Sequence, residues 1–198
     1  MKLLIIRHGE SEADILKVCE GWADFSLTPR GHKQAEAMSK YVSKHYHVDK
    51  IYTSSLKRAC QTAQYLEKLT GLSAIKTDKL KEFNNGLRAG LPYDEAYKKY
   101  PKVELPIHAS RYGQESKLNF RMRIESILSE ILSQNSDDQT IVIVTHGGAI
   151  TQLYHALLKL PIDSKIKFGS GDTCVHDWNI EGDKYYINFA NYCPYNKI

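Results

Sequence analysis

The sequence predicts an α/β protein, a three-layer αβα sandwich around a mostly parallel central sheet with one antiparallel region at its edge. Two apolar runs, 3–6 and 141–144, have the uniform hydrophobicity of strands that are buried on both faces, which is typical of parallel sheets. Helical patterns alternate with the predicted strands, and this order favours a sheet that is covered by helices on both sides. Two late alternating segments, 173–180 and 184–190, predict a hairpin that supplies the antiparallel region.

The other elements follow from local signals. A hydroxyl side chain before proline is typical of a helix start, and glycine is typical of a helix end. In chain order we expect an irregular loop (14–26), a helix that begins at Thr28 and Pro29, a strand (50–53), a helix capped by Ser54 or Ser55 and ended by Gly71, a short helix (93–100), an amphipathic helix (116–134), and a helix over about 148–160.

The length of 198 residues predicts a single domain, 1–198. Residues 80–115 are the least regular part of the chain, with a turn signal at 84–86. Irregular segments of this length usually cover a site or form a small subdomain. We therefore expect residues 80–115 to form an irregular cap over the functional site.

Composition excludes several classes of protein. The net charge is +4 and basic residues are scattered among acids, so a nucleic-acid partner is not expected. No apolar stretch approaches the length of about 20 residues that spans a membrane. The cysteines are far apart and form no C-x-x-C pair, which predicts reduced thiols in a cytoplasmic protein rather than disulfides; they are Cys19, Cys60, Cys174 and Cys193. The assembly is expected to be a monomer or a homodimer.

Chemistry-bearing side chains follow both apolar runs. Arg7 and His8 come after the first run, His146 comes after the second, and glycine follows each histidine. Ligands of α/β sheets collect beyond the carboxyl ends of the strands. A metal site is one option for two histidines, but a fixed cation beside the metal and the lack of a metal-ligand spacing count against it. Arginine beside histidine suits an oxyanion better, because a guanidinium matches phosphate or carboxylate oxygens.

Arg58 is a further candidate for the oxyanion site. It lies in the first turn of a predicted helix just beyond a strand, where the helix amides also attract anions. A lone arginine there would be read as a surface residue, but together with Arg7 and the two histidines it favours a phosphate site.

Four segments in this order resemble the histidine phosphatase superfamily, the clan that includes the cofactor-dependent phosphoglycerate mutases. They are Arg7-His8-Gly9-Glu10-Ser11, Ser55-Leu56-x-Arg58-Ala59-x-x-Thr62-Ala63, Leu80-x-Glu82 and Thr145-His146-Gly147. The resemblance extends from residue 3 to about residue 160.

The resemblance implies a role for each matched residue. His8 would be the nucleophile that forms a phosphohistidine intermediate. The phosphoryl group would be bound by Arg7, Arg58, His146 and Gly147, with His146 also counted as catalytic. Glu82 would carry the proton to the leaving alcohol and from the attacking water. No metal or other cofactor is implied.

One position departs from the family pattern. Members often have asparagine where this chain has Asp14, and an ionised carboxylate cannot donate a hydrogen bond to phosphate. Either Asp14 points away to a cation, or it accepts hydrogen bonds that orient a pocket side chain. Glu20, Gly21 and Asn84 are further candidate pocket residues. Because acids surround the mouth, we expect a substrate with one phosphate and a neutral or cationic remainder.

The segment between Glu82 and His146 is compact, as in the small bacterial phosphatases of the superfamily, including those similar to α-ribazole phosphatase. The sequence therefore predicts a metal-independent phosphomonoesterase that acts on a small phosphorylated metabolite. A phosphoglycerate-type mutase with the same residues and a non-catalytic phospho-ligand binding module remain the alternatives.

Overall fold

The computed structural model describes residues 1–197, and a six-stranded mixed sheet lies at its centre. The strands are β1 (Lys2–Arg7), β2 (Lys50–Ser54), β3 (Ile75–Thr77), β4 (Thr140–Thr145), β5 (Val175–Glu181) and β6 (Lys184–Tyr192). Their order across the sheet is β3-β2-β4-β1-β5-β6. The helices are α1 (Glu12–Leu16), α2 (Pro29–His45), α3 (Lys57–Thr70), α4 (Tyr93–Lys99), α5 (Lys117–Gln134) and α6 (Gly147–Leu157). Short 3₁₀ turns complete the description.

The predicted fold class is confirmed. Strand β1 pairs with β4 in parallel, and so do β4 with β2 and β2 with β3. Strand β5 is antiparallel to both of its neighbours, β1 and β6. The two central strands are fully buried along their apolar runs because each face carries a helical layer. Residues Leu3 and Ile5 pack against α5 and α6, and residues Leu4 and Ile6 pack against α2 and α3.

The register of β1 against β4 positions the site. Arg7 is opposite Thr145, so the residues that follow the two strands leave the sheet side by side. On the other side of β4, Thr53 is opposite Val144, which brings the end of β2 to the same edge. Because β5 runs antiparallel to β1, its first residues also lie at this edge. Four chain segments distant in sequence therefore meet there.

Most predicted helix boundaries agree with the structure. Thr28 caps α2, and its side chain accepts a hydrogen bond from the Gly31 amide. The amphipathic segment is α5, which begins after the Ser116 cap. The helix after β2 differs, since Leu56 occupies its N-cap position and neither Ser54 nor Ser55 does.

Two elements were missed. The irregular loop expected over 14–26 begins inside a five-residue helix, α1, which starts at Glu12. The edge strand β3 was not predicted because it has three residues and no buried position. Elements this short carry too few residues to establish a periodicity.

The expectation of reduced thiols is wrong for one pair. Cys174 and Cys193 form a disulfide, whereas Cys19 and Cys60 are free. The hairpin of β5 and β6 explains the pairing, because Val175 is opposite Tyr192 and the two cysteines come directly before and after these residues. The sequence separation of the two cysteines gave no sign of this disulfide, which depends on the register of the hairpin.

Across residues 1–197, the structure contains no helix whose length and hydropathy would let it cross a membrane.

Candidate active site

Two histidine rings lie together at the edge of the sheet. The ring centroids of His8 and His146 are 5.0 Å apart, and both residues are almost completely buried. The backbone amide of His8 donates to the Thr145 carbonyl at 2.9 Å, so the parallel pairing of β1 and β4 continues one residue beyond the strands. The juxtaposition predicted from the strand ends is therefore present.

The tautomer of His8 follows from its hydrogen bonds. Its Nδ1 lies 2.8 Å from the Gly9 carbonyl oxygen, which can only accept, so Nδ1 carries a proton. Its Nε2 accepts a hydrogen bond from Arg58 Nε at 3.3 Å. In the neutral ring the lone pair is consequently on Nε2, which faces the guanidinium of Arg58.

The neutral form of His8 is also the favoured one. Burial lowers the pKa of His8 well below its ordinary 6.5, and the positive charges of Arg58 and Arg7 lower it further. Burial likewise lowers the pKa of His146, with Arg58 as the next cause. Both rings are thus unprotonated bases in a positively charged setting, as a nucleophile requires.

Arg58 is fully buried, and besides its hydrogen bond to His8 it is held by two backbone carbonyls. Its Nη1 donates to the Ala23 carbonyl and its Nη2 to the Gly21 carbonyl, each at 2.9 Å. Gly21 has a φ of +50°, a left-handed conformation that glycine adopts most readily. Gly21 therefore contributes to the site through its backbone, which fixes the direction of the guanidinium.

Arg7 is held by the loop before β5. Its Nη1 donates to the Ser170 carbonyl at 2.8 Å, and its Nη2 lies 3.5 Å from Asp172 Oδ1. Nothing in the sequence pointed to either partner, because the contact spans more than 160 residues and depends on β5 lying beside β1.

Two buried nitrogen atoms at the site are unsatisfied. Within residues 1–197, neither Arg7 Nε nor His146 Nδ1 has a hydrogen-bond partner, although both are inaccessible to solvent. The other ring nitrogen of His146, Nε2, is 2.8 Å from Ser54 Oγ. Buried polar atoms without partners are uncommon in native structures, and water, an ion or a ligand can satisfy them. A bound oxyanion could satisfy both.

Glu82 lies at the same edge with its carboxylate anchored. Its Oε2 accepts from the Gly148 amide at 2.8 Å and its Oε1 from the Phe83 amide at 2.7 Å. Arg123 of α5 donates to the Lys79, Lys81 and Glu82 carbonyls and to the Glu115 carboxylate, so it fastens this segment to the core. Arg123 was not among the predicted residues, since its spacing is that of an ordinary surface position.

The glycines after His146 have different roles. A Cβ built on Gly147 would lie 4.0 Å from Arg7 Nε, which locates this residue beside the unsatisfied donor. A Cβ on Gly148 would lie 3.0 Å from the Glu82 carboxyl carbon and closer still to Oε1. Position 148 therefore has to remain glycine for Glu82 to keep its place.

We expect Gly148→Ala to reduce kcat by roughly 10²-fold, because the new methyl group would push the Glu82 carboxylate out of its position beside the Gly148 amide. Steady-state kinetics with an alkyl phosphate would measure the change. Gly169→Ala is the matched control, since a Cβ there meets no atom within 4 Å. Equal activity of both variants would contradict the assignment of Glu82 to the site.

The carboxylate of Asp14 contacts Ser11. Its Oδ2 accepts from the Ser11 amide at 2.8 Å and lies 3.1 Å from the Ser11 hydroxyl. The carboxylate thus accepts hydrogen bonds, as in the second of the two predicted arrangements, and these contacts form a capping box at the start of α1. That they orient a pocket side chain stays a prediction. Ser11 in turn hydrogen-bonds to Glu20, whose Oε2 is 3.9 Å from His8 Nε2.

Asn84 does not join this cluster through its side chain. Its Oδ1 accepts from the Gly86 amide at 2.9 Å, and its own amide donates to Glu115 at 2.8 Å. These contacts form the turn that was predicted at 84–86. Asn84 therefore shapes the segment that follows Glu82.

A cavity of about 530 Å³ opens beside Glu82. Its lining includes Phe83, Phe120, Phe168, Gln152 and Lys167, and it reaches Gly147 and Gly148 at the site. Within the described chain, Gln152 Oε1 is buried without a hydrogen-bond partner. The cavity therefore combines aromatic walls, one free acceptor and one cation next to the proton-carrying candidate.

Known proteins are similar to this chain in sequence and in fold. The family model described as histidine phosphatase superfamily (branch 1) matches residues 3–192. The chain is 33% identical over 174 residues to phosphoserine phosphatase 1 of Hydrogenobacter thermophilus, covering 85% of this chain and 82% of that protein. It is 34% identical over 166 residues to a 2,3-bisphosphoglycerate-dependent phosphoglycerate mutase of Cytophaga hutchinsonii, covering 80% and 78%. A mycobacterial glucosyl-3-phosphoglycerate phosphatase has a similar structure, with TM-score 0.82, 25% identity and coverage of 96% of this chain and 98% of that chain.

Proposed function

Because the chain belongs to the histidine phosphatase superfamily, we propose that it hydrolyses a small phosphomonoester through a phosphohistidine intermediate on His8. Its named relatives include phosphatases, and the chain is a phosphoric monoester hydrolase. One observation carries the proposed mechanism. The Nε2 lone pair of a neutral, buried His8 faces Arg58, next to the unsatisfied nitrogen atoms of Arg7 and His146.

The proposed reaction has two steps. His8 Nε2 attacks phosphorus, the bond to the leaving oxygen breaks, and Glu82 donates a proton to that oxygen. Glu82 then accepts a proton from water as the water attacks phosphorus and the P–N bond breaks, which restores neutral His8. Arg7, Arg58 and His146, with Gly147 beside them, would bind the equatorial oxygens and stabilise their charge.

We propose that the reaction needs no metal, since Arg7 and Arg58 supply the positive charge. Both guanidiniums are oriented by backbone carbonyls, so they need no rearrangement when the phosphoryl charge develops. Full activity after prolonged treatment with a chelator such as EDTA would support this part of the proposal, and loss of activity that Mg²⁺ restores would contradict it.

The acids around the site support a substrate with one phosphate and a neutral or cationic remainder. Asp14 and Asp172 lie near the cationic groups, since Asp14 interacts with the charge of Arg58 and Asp172 is 3.5 Å from Arg7 Nη2. A second phosphate would meet these carboxylates, whereas an ammonium group would be attracted to them. The relative named phosphoserine phosphatase makes phosphoserine the first compound to test. A panel in which bisphosphorylated sugars were the best substrates would contradict this proposal.

Trapping of the intermediate tests the proposed function. Rapid acid-free quenching after mixing with a ³²P-labelled monoester should give labelled protein whose label is acid-labile and base-stable, as expected for a phosphoramidate. The label should be absent from a His8→Asn variant. Turnover with no labelled protein at any mixing time, or label that remains in the variant, would contradict the assignment.

The lowered pKa of His8 predicts an unusual titration. A histidine whose pKa is depressed stays neutral as the pH falls, so the ring Cε1–H resonance of His8 should not shift between pH 8 and pH 6.5. A two-dimensional NMR titration measures this, and the His8→Asn variant identifies the resonance. A midpoint at or above 6.5 would show that the ring is protonated under conditions in which it has to be a nucleophile.

A phosphoglycerate-type mutase is the second candidate, favoured by the similarity to a named mutase. A mutase has to exclude water while it holds its phosphorylated intermediate. Product analysis with 3-phosphoglycerate separates the two functions, because a phosphatase releases inorganic phosphate and a mutase yields 2-phosphoglycerate. A non-catalytic binding module would bind phosphate without doing either.

We also propose that the chain works as one domain, with residues 80–115 as its cap. The segment contacts the loop before the site, since the amide of Cys19 donates to the Leu91 carbonyl and that of Gly90 donates to the Cys19 carbonyl. These contacts tie the cap to the residues that precede Glu20. Limited proteolysis should therefore be slowed within the cap by vanadate, a phosphate mimic, and no protection would contradict the proposal.

A further inference from the structure

The carboxyl group of Glu20 lies against the groups that would bind phosphate. Its Oε1 is 3.6 Å from Arg58 Nε and its Oε2 is 3.9 Å from His8 Nε2. An attacked phosphorus atom approaches a nucleophile to about 3–3.5 Å before reaction. A phosphoryl group on the proposed path to His8 would therefore be in direct contact with Glu20.

The hydrogen bonds of Ser11 hold the carboxyl group of Glu20 in place. The buried Ser11 hydroxyl has one proton, yet carboxyl oxygens of both Asp14 and Glu20 lie within hydrogen-bond distance of it. That proton is donated to Glu20, because the Oδ2 of Asp14 already accepts from the Ser11 amide. The other oxygen of Glu20, Oε2, faces His8, and a dianion in contact with it would meet a second negative charge unless Glu20 takes up a proton.

The other charged neighbours of Glu20 come from four elements. Arg58 belongs to α3, Arg7 ends β1 and His8 comes directly after it, Asp14 lies on α1 and Tyr93 begins α4. Burial raises the pKa of Glu20 above its ordinary value, and Asp14 adds to this effect while Arg58, the Ser11 hydrogen bond and Arg7 oppose it. The direction of this shift favours a protonated Glu20 beside a bound dianion.

We propose that Glu20 binds the phosphoryl group in its carboxylic acid form, donating its proton to a phosphoryl oxygen, so that oxyanion binding is coupled to a proton on Glu20. The inference rests on the proposed phosphate site. It assigns a binding role to Glu20, and it assigns to Ser11 and Asp14 the positioning of that carboxyl group.

The coupling has a measurable consequence. Once the pH exceeds the pKa of free Glu20, every bound dianion has to bring a proton to this residue, and the affinity falls by up to about tenfold per pH unit. Anion binding would therefore be stronger at acidic pH, and the cause would be Glu20 and not protonation of His8. A rotation of Glu20 out of the site on binding would remove this dependence.

Sulfate is a suitable probe because it stays a dianion between pH 5 and pH 9. Isothermal titration of wild type and Glu20→Gln should give similar dissociation constants at pH 5, within about threefold, and a wild-type constant at least roughly tenfold larger at pH 9. Titrations in buffers of different ionisation enthalpy should show proton uptake that approaches one per sulfate in wild type and none in Glu20→Gln.

Asp14→Asn provides a second variant that retains Glu20. With the negative charge of Asp14 removed, the ionised form of Glu20 is less disfavoured, so the midpoint of the wild-type pH dependence should move to lower pH. Parallel pH curves for wild type and Glu20→Gln, or an unchanged or raised midpoint in Asp14→Asn, would overturn the inference and leave the phosphatase assignment intact. If sulfate bound to neither wild type nor Glu20→Gln, the phosphate site itself would be refuted.

Discussion

Replacement of His8 with asparagine is expected to lower kcat by at least roughly 10⁴-fold, the scale of loss seen when a covalent nucleophile is removed. Asparagine has a similar volume and can still donate from its amide toward the Gly9 carbonyl, but it has no basic nitrogen to direct at phosphorus. Arg7, Arg58 and His146 remain, so anion binding should persist. Initial rates with an aryl phosphate and the affinity for vanadate would measure the two effects separately.

The matched control is His47→Asn, the same substitution at a side chain that is 90% exposed. It should leave kcat and KM unchanged within about twofold. A His8→Asn protein that retained most of its turnover, after repeated purification from an expression host lacking related phosphatases, would refute the nucleophile assignment. A folded His8→Asn protein should keep a cooperative thermal unfolding transition and bind vanadate, whereas an unfolded one would show neither.

Glu82→Gln is the second large effect, with an expected decrease of about 10²- to 10⁴-fold in kcat for an alkyl phosphate. The amide can keep one backbone contact but cannot transfer a proton to the leaving oxygen. An aryl phosphate such as p-nitrophenyl phosphate leaves as a stable anion and needs that proton less. The decrease should therefore be much smaller for the aryl ester than for an alkyl ester such as phosphoserine.

Glu104→Gln is the control on the same segment, since Glu104 is solvent-exposed. The ratio of the two esters' rates should stay at the wild-type value in this variant. An equal loss for both esters in Glu82→Gln would indicate that the residue positions other groups and does not transfer the proton.

The sequence alone could predict the centre of this site. Uniformly apolar strands imply a parallel sheet, and parallel neighbours bring their carboxyl ends together, so Arg7, His8 and His146 had to be close if β1 and β4 were adjacent. Adjacency itself was not derivable from periodicity. The family resemblance supplied it, together with Glu82. It also supported Arg58, which the residues had already indicated although its local pattern fits a surface position.

The remaining contacts depend on tertiary structure that leaves no local signal. Ser170 and Asp172 reach Arg7 because β5 returns beside β1, and the disulfide forms because the hairpin register aligns its ends. The link from Ser11 to Glu20 spans a helix too short to predict. Side chains that orient other side chains were therefore the least predictable part of the site.

The hydrogen bond from His8 Nδ1 to the Gly9 carbonyl determines the regiochemistry of any phosphoryl transfer to this ring. Only the tele nitrogen is free, so the covalent adduct has to be the tele isomer and never the pros isomer. A single peptide oxygen, contributed by the next residue in the chain, thus selects between two chemically distinct phosphoramidates. Isomer-specific antibodies or ³¹P spectra of the denatured adduct would identify which of the two isomers forms.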